Sequence, residues 1–123
     1  RVLTKEDLLA ARETVSKIIV SDDIKAYVAR LVTATNPQTT SVPEVRKSVR
    51  TGVSPRAAIW LARSAQVQAF LQGRHYVKPE DVRAVAHRVL RHRIILQFEA
   101  EGRTTADQVV ADVVSQTPPV FAK

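Results

Sequence analysis

Cysteine is absent from the 123-residue sequence. Its absence excludes disulfide bonds, a thiolate nucleophile and a zinc site with cysteine ligands. No apolar run approaches the roughly 18 residues that a membrane-spanning helix needs, and the N-terminus lacks the charged-then-apolar pattern of a signal peptide. The sequence therefore predicts a cytoplasmic protein without membrane insertion.

Methionine is absent as well, and the chain begins with Arg1 directly ahead of a helix-start signal. These features predict a piece cut from a longer protein. A length of 123 residues suits one domain, spanning 1–123, that buries a core without disulfides or a metal.

Motifs for catalysis and nucleotide binding are also missing from the sequence. The three glycines lie far apart, and none begins a phosphate loop or a dinucleotide fingerprint. His87 and His92 are five residues apart, which aligns them poorly on a helix, and no histidine has metal-ligand spacing to a carboxylate. No serine has a base beside it. We therefore expect neither a metal site nor a complete active site in this chain.

Positive charge is in surplus, with 19 Lys and Arg against 12 Asp and Glu and a net charge of +7. Such a surplus attracts phosphates or an acidic protein surface, unless another part of a longer protein offsets it. Several arginines lie in or near one predicted helix: Arg83, Arg88, Arg91 and Arg93. One alternative is therefore a basic helical module that binds nucleic acid. Aromatic residues are few and no helix-turn-helix pattern is present, so we do not expect nucleic-acid binding. Another alternative is a passive protein-interaction module.

Helical periodicity dominates the rest of the sequence and predicts an all-α fold, a small helical bundle of four to five helices. The expected helices are about 5–17, one that begins after Ser21, about 55–72, one from Pro79 through Leu90, and one from Thr104 or Thr105 to Pro118. Two short extended pieces are expected at 18–20 and 94–98. Residues 36–53 form one long connection that has room for a short helical turn.

The third predicted helix is rich in alanine, which lets a neighbouring helix approach closely. Its expected inward stripe is Ala58, Ile59, Ala62, Ala65, Ala69 and Phe70. Gly73 follows as a left-handed stop. Ser54 and Pro55 form the start of this helix, with the serine side chain accepting a hydrogen bond from a free backbone N–H group.

Arg56 stands at about the second position of that helix, where the helix dipole disfavours a cation by some tenths of a kcal/mol. A cation in this place is explained if an external anion contacts both the guanidinium and the free N–H groups of the helix start. The alternative is a solvated arginine that tolerates the small penalty.

Three blocks in the chain form a recognisable pattern. They are GVSPRA at 52–57, GRHYVKPEDV at 73–82 and VLRHRI at 89–94. In this order and spacing they resemble the C-terminal lid of MoxR-family AAA+ ATPases, whose pattern reads G-A-S-P-R-A, G-R-x-Y-V-x-P-x-D-V and V-L-x-H-R. The resemblance covers about residues 2–119 and implies a helical bundle of the AAA+ lid type.

The resemblance implies that Arg56 is the sensor 2 residue, which contacts the triphosphate of ATP and links the position of the lid to the nucleotide state. Ser54 beside it is a candidate nucleotide-binding residue. ATP and Mg²⁺ are expected to bind in the core domain of the parent chain, with no cofactor held tightly by this piece alone. The parent is expected to be a chaperone-like ATPase in a hexameric ring. Its implied partners are the core domain, neighbouring subunits and a protein with a von Willebrand A domain.

Several residues depart from the family pattern or match it without a known role. Val53 replaces the usual alanine, and Asn36 stands where the family often has an arginine after a threonine. Arg74, His92 and Arg93 match the pattern, but their spacing leaves two roles open: anchoring helix ends, or contacting nucleotide or a neighbouring subunit. Whether Arg56 serves its own chain or a neighbour also stays open.

Overall fold

The computed structural model describes residues 3–119. Arg1, Val2 and 120–123, the outer ends of the predicted domain, lie outside the described residues. The helices of the described part are α1 Lys5–Ser16, α2 Asp22–Ala34, α3 Pro43–Ser48, α4 Arg56–Leu71, α5 Pro79–Leu90 and α6 Ala106–Gln116. The all-α prediction is confirmed. The short α3 is the helical turn expected in the connection and brings the count above four to five.

Local hydrogen bonds cap the starts of α1, α2 and α6 and the end of α4. Thr4 and Asp7 form a capping box at α1, with each side chain accepting from the other residue's backbone N–H at 3.1 Å. Ser21 accepts from the N–H of Ile24, and Thr105 caps α6 in the same way. After α4, Gly73 has a φ of 75°, and the N–H of Arg74 bonds the carbonyl of Ala69 in a Schellman motif.

The two extended pieces each have a hydrogen-bonded partner. Ile19 pairs with Tyr76 in an isolated parallel bridge, so the extended piece at 18–20 is confirmed. Strand β2, Ile95–Leu96, pairs antiparallel with β1, Val49–Thr51, in a register that joins Thr51 to Ile95 and Val49 to Leu96. Strand β1 was not predicted, because its partner lies more than forty residues away in sequence and no hairpin turn connects the two strands.

The second extended piece is shorter than expected. It ends at Leu96, and residues Phe98–Ala100 form a 3-10 helix. The Phe98 side chain is 85 % exposed, so its apolar character did not indicate a buried strand position.

The most extensive contact between helices joins α4 and α5, and the core also includes buried side chains of α2, α3 and α6. The residues of α4 that are buried are Ala57, Leu61, Ala65 and Ala69. The predicted stripe was therefore wrong in part: Ile59 is 58 % exposed, and Ala58, Ala62 and Phe70 are only partly buried. The buried residues recur every fourth position, so α4 packs into the core along one narrow row in which three of the four side chains are alanine.

Helix α1 lies on the surface of this core. None of its residues is buried, and Leu8 and Leu9 are each more than half exposed. Together with the outer side of α4, it lines an open apolar groove that includes Val67 and Leu71. Within residues 3–119, no helix is long and apolar enough to cross a membrane.

Candidate functional site

The segment before α4 is anchored directly to the end of α2. Thr35 is fully buried, and its hydroxyl accepts from the N–H of Val53 at 3.1 Å while donating to the carbonyl of Val32 at 2.7 Å. A Cβ at Gly52 would lie 2.5 Å from the carbonyl oxygen of Thr35 and 2.7 Å from the Cα of Asn36. Only glycine permits this approach, so Gly52 and Thr35 together determine where α4 begins.

The first turn of α4 differs from the capped start that the sequence predicted. Pro55 already has helical backbone angles, and Ser54 accepts through its carbonyl from the N–H of Ala57 at 2.9 Å. The N–H of Ala58 bonds the carbonyl of Pro55 at 3.1 Å. No side-chain hydrogen bond of Ser54 is present in the described part of the chain, so the predicted serine cap was wrong. These internal bonds also leave fewer free N–H groups for an anion than expected.

Arg56 is the first residue of α4 and is exposed to solvent. Its guanidinium has neither an ion pair nor a hydrogen bond to any residue in 3–119. The first turn of α4 contains no acidic residue, although such residues stabilise the positive end of a helix. The guanidinium is therefore free to bind an external anion.

Asn36, where the family often has an arginine, shapes the turn next to this site. Its side-chain oxygen accepts from the N–H of Gln38 at 2.9 Å, and its carbonyl accepts from Thr39 and Thr40. Asparagine commonly stabilises a turn in this way. It supports the loop that Gly52 contacts and adds no positive charge there.

Arg74 has a structural role at the opposite end of α4. Its guanidinium donates two 2.6 Å hydrogen bonds to the carboxylate of Asp81, which is 2 % exposed and also accepts from the N–H of Lys78 at 2.7 Å. Burial alone would raise the pKa of Asp81, but the bonds from Arg74 and Lys78 outweigh it and the pKa is lowered. Of the two roles left open for Arg74, the geometry supports anchoring the α4–α5 connection.

Asp81 was identified from the sequence only as part of the block at 73–82, and Thr35 was not identified. The pairing of a carboxylate cannot be read from spacing alone. The glycine at position 52 was a usable signal, since it indicates a close backbone approach.

Several of the basic side chains on and just after α5 form ion pairs or hydrogen bonds with neighbouring side chains. Arg83 bonds Glu80 at 3.2 Å, and Arg91 lies 3.9 Å from Asp107, which also faces His87 at 3.5 Å. His92 accepts from Arg91 at 3.2 Å. This pairing weakens the case for a nucleic-acid module, because fewer arginines of this helix remain free for phosphates. Arg93 is exposed and has no side-chain partner among the described residues.

No group of three or more His, Cys, Asp or Glu that could hold a metal ion occurs in residues 3–119. The site consists of one free guanidinium on a helix start that is anchored by buried contacts. Such a group can bind and orient a phosphate but supplies no nucleophile and no base.

Comparisons with known proteins show which family this domain resembles. The family model for the AAA lid domain matches residues 44–113. The chain is 35 % identical over 118 residues to the chaperone MoxR1 of Mycobacterium tuberculosis, covering 95 % of this chain and 31 % of that protein. It is 38 % identical over 96 residues to the protein MoxR of Methylorubrum extorquens, covering 74 % of this chain and 27 % of the relative.

A crystal structure of a presumed ATPase from Cytophaga hutchinsonii matches with a TM-score of 0.91 and 34 % identity, covering 97 % of this chain and 37 % of that one. The chain thus spans about a third of the length of the proteins it matches. The match extends over the segment that carries Thr35, Gly52 and Arg56. The chain belongs to the AAA lid domain family and is the lid of a MoxR-family AAA+ ATPase.

Proposed function

We propose that this lid closes over ATP held by the core domain of a longer parent chain, and that Arg56 is the sensor 2 arginine that contacts the triphosphate. The observation that carries the proposal is the exposed guanidinium at the first position of α4, without a partner in the described residues. A planar guanidinium pairs with two phosphate oxygens at once and stabilises charge that develops on the γ-phosphate.

The chain's own residues fit a phosphate contact and not a complete nucleotide site. Arg56 supplies a charged donor, and Ser54, two residues before it, supplies an exposed hydroxyl without a side-chain partner in residues 3–119. The phosphate loop and the acidic residues for Mg²⁺ are expected in the core domain. When bound, ATP with Mg²⁺ supplies the phosphoryl group that is transferred to water.

The anchoring of the 52–55 segment supports a coupling between lid position and nucleotide state. Gly52 and Thr35 tie the start of α4 to α2, while the row of small residues ties α4 to α5. Arg56 therefore moves with the whole lid and not as a mobile loop residue. Closure of the lid would bring the guanidinium to the phosphates, and loss of the γ-phosphate would remove one reason for closure.

The parent is proposed to act as a chaperone-like ATPase in a hexameric ring, with the core domain and neighbouring subunits as partners. Support comes from the relative that is named a chaperone and from the open apolar groove between α1 and α4, which offers a contact surface. A cytoplasmic location and a partner with a von Willebrand A domain stay predictions from the sequence.

The test uses the parent ATPase. Arg56→Ala should lower ATP turnover at least tenfold, since loss of one preorganised donor to a developing negative charge typically costs that much or more. Arg56→Lys should restore only part of the rate, because an ammonium cannot form the two parallel bonds. The matched control is Arg88→Ala, which removes an exposed arginine from α5.

Normal turnover and normal assembly in Arg56→Ala would refute the sensor role. A second measurement concerns the lid alone: calorimetric titration with ATP and Mg²⁺ should give no strong binding, because the chain lacks a phosphate loop. A dissociation constant in the low micromolar range or tighter would contradict the proposal that the core domain holds the nucleotide.

A further inference from the structure

Arg93 differs from the other two residues whose roles the sequence left open. Arg74 is bound to Asp81, and His92 accepts a hydrogen bond from Arg91. The Arg93 side chain is exposed and has no partner in residues 3–119, although the next residue, Ile94, is buried at 8 % exposure. A buried neighbour holds the backbone in place, so the position of Arg93 is set by the fold.

The two-stranded sheet places the segments that carry Arg93 and Arg56 at the same end of the ladder. Thr51 pairs with Ile95, and the register shifts between Val49 and Thr51. Beyond this pair the ladder ends: the N–H of Val53 bonds Thr35, and the N–H of Arg93 bonds the carbonyl of Leu90 in the turn after α5. Arg56 follows Val53 by three residues, which span at most about 10 Å. Arg93 and Arg56 therefore both lie near the end of the ladder where Thr51 meets Ile95.

The helices give the same placement independently. Only residues 72–78 connect α4 to α5, and the two helices pack along their length, so they run antiparallel. The start of α4, with Arg56, therefore lies at the same end of the bundle as the end of α5. Arg93 follows that end by three residues. Neither guanidinium has an acidic partner there in the described part of the chain, so the two add to one local positive potential.

We propose that Arg93 is a second phosphate-binding residue, which contacts the same polyphosphate as Arg56 from the turn that follows α5. The inference deepens the proposed function and rests on it. Two guanidinium groups on separate elements would hold a polyphosphate in one orientation and not merely attract it. The ligand is an inorganic or nucleotide polyphosphate, recognised by its clustered oxygens and its charge.

The experiment uses the 123-residue chain, labelled with ¹⁵N, and inorganic tripolyphosphate at low ionic strength. Amide shifts should concentrate at 52–57 and 92–94 and should saturate at millimolar ligand. Arg93→Ala and Arg56→Ala should each raise the apparent dissociation constant at least threefold, and Arg93→Lys should fall between. Arg88→Ala is the control of equal charge: Arg88 lies beside Ser64, more than two turns along α4 from Arg56, and its loss should leave binding nearly unchanged.

The outcomes separate the two proposals. If Arg56→Ala weakens binding and Arg93→Ala does not, the role of Arg93 is refuted while the sensor role of Arg56 stands. If neither substitution changes the titration, or if the wild-type chain shows no saturable shifts at 52–57, both proposals lose this support and the Arg93 inference is overturned. Equal weakening by Arg88→Ala would show a diffuse charge effect and would also overturn it. Unchanged spectral dispersion in each variant confirms that the fold is intact.

Discussion

Gly52→Ala tests the anchoring of the site to α2. The added Cβ would lie 2.5 Å from the carbonyl oxygen of Thr35 and 2.7 Å from the Cα of Asn36. Atoms in ordinary contact are about 3.5–4.0 Å apart, so the methyl group is roughly 1 Å too close to main-chain atoms that cannot rotate away. The loop must move, and the 3.1 Å bond from the N–H of Val53 to Thr35 must lengthen.

The expected cost follows from these contacts. Overpacking a well-filled site costs about 1–3 kcal/mol, and the lower entropy of an unfolded chain with alanine offsets about 0.4–1 kcal/mol. We expect a net loss of about 1.3 kcal/mol, which lowers the melting temperature of a domain of this size by roughly 5 °C. Thermal unfolding followed by circular dichroism measures this shift.

Gly102→Ala is the matched control for this substitution. A Cβ at Gly102 meets nothing within 4 Å, so the same chemical change should leave the melting temperature unchanged or slightly raised. If Gly52→Ala melts within about 1 °C of the wild-type chain, the close contact of the 52–55 segment with the end of α2 does not contribute to stability. The rigid placement of Arg56 is then refuted.

Three further predictions test other parts of the fold. Thr35→Val removes both bonds of a buried hydroxyl and leaves the N–H of Val53 unpaired, so denaturant unfolding should show a loss of about 1–3 kcal/mol; an unchanged midpoint would refute the anchor. Ala65→Leu should overpack the α4–α5 contact by about 1–3 kcal/mol, while Ala62→Leu at the half-buried position should cost clearly less, and equal melting temperatures would contradict the assignment of the buried row. For Asp81 the folded pKa is lowered, so its contribution to stability is present above its unfolded pKa, near 3.8, and is lost as the pH falls below it. Unfolding midpoints of Asp81→Asn should thus change less with pH below about 4 than those of the wild-type chain, and parallel pH profiles would refute this reading.

The sequence by itself determined the features that depend on neighbouring residues. The caps at Thr4 and Ser21 and the stop at Gly73 each involve groups within six residues, so composition and spacing were sufficient to predict them. The buried face of α2 follows from helical periodicity, because the apolar residues that recur at helical spacing are buried: Ile24, Tyr27, Val28, Leu31 and Val32. Arg56 was identified from its place at a helix start and from the resemblance to MoxR-family lids.

Only the tertiary structure decided which groups meet across the chain. Arg74 has two acidic residues close by in sequence, Glu80 and Asp81, and the burial of Asp81 beside its guanidinium selects that partner. The exposure of Ile59 and of α1 depends on how much of the α4 surface the other helices cover, and periodicity does not contain that information. The bond between Thr35 and Val53 joins residues 18 positions apart. Whether Arg56 has a partner within residues 3–119 depends on which side chains the fold brings near it, and none that binds it is there. A local pattern records the conformations its own residues favour, whereas close packing between distant segments determines which buried groups are paired and which surface charges stay free.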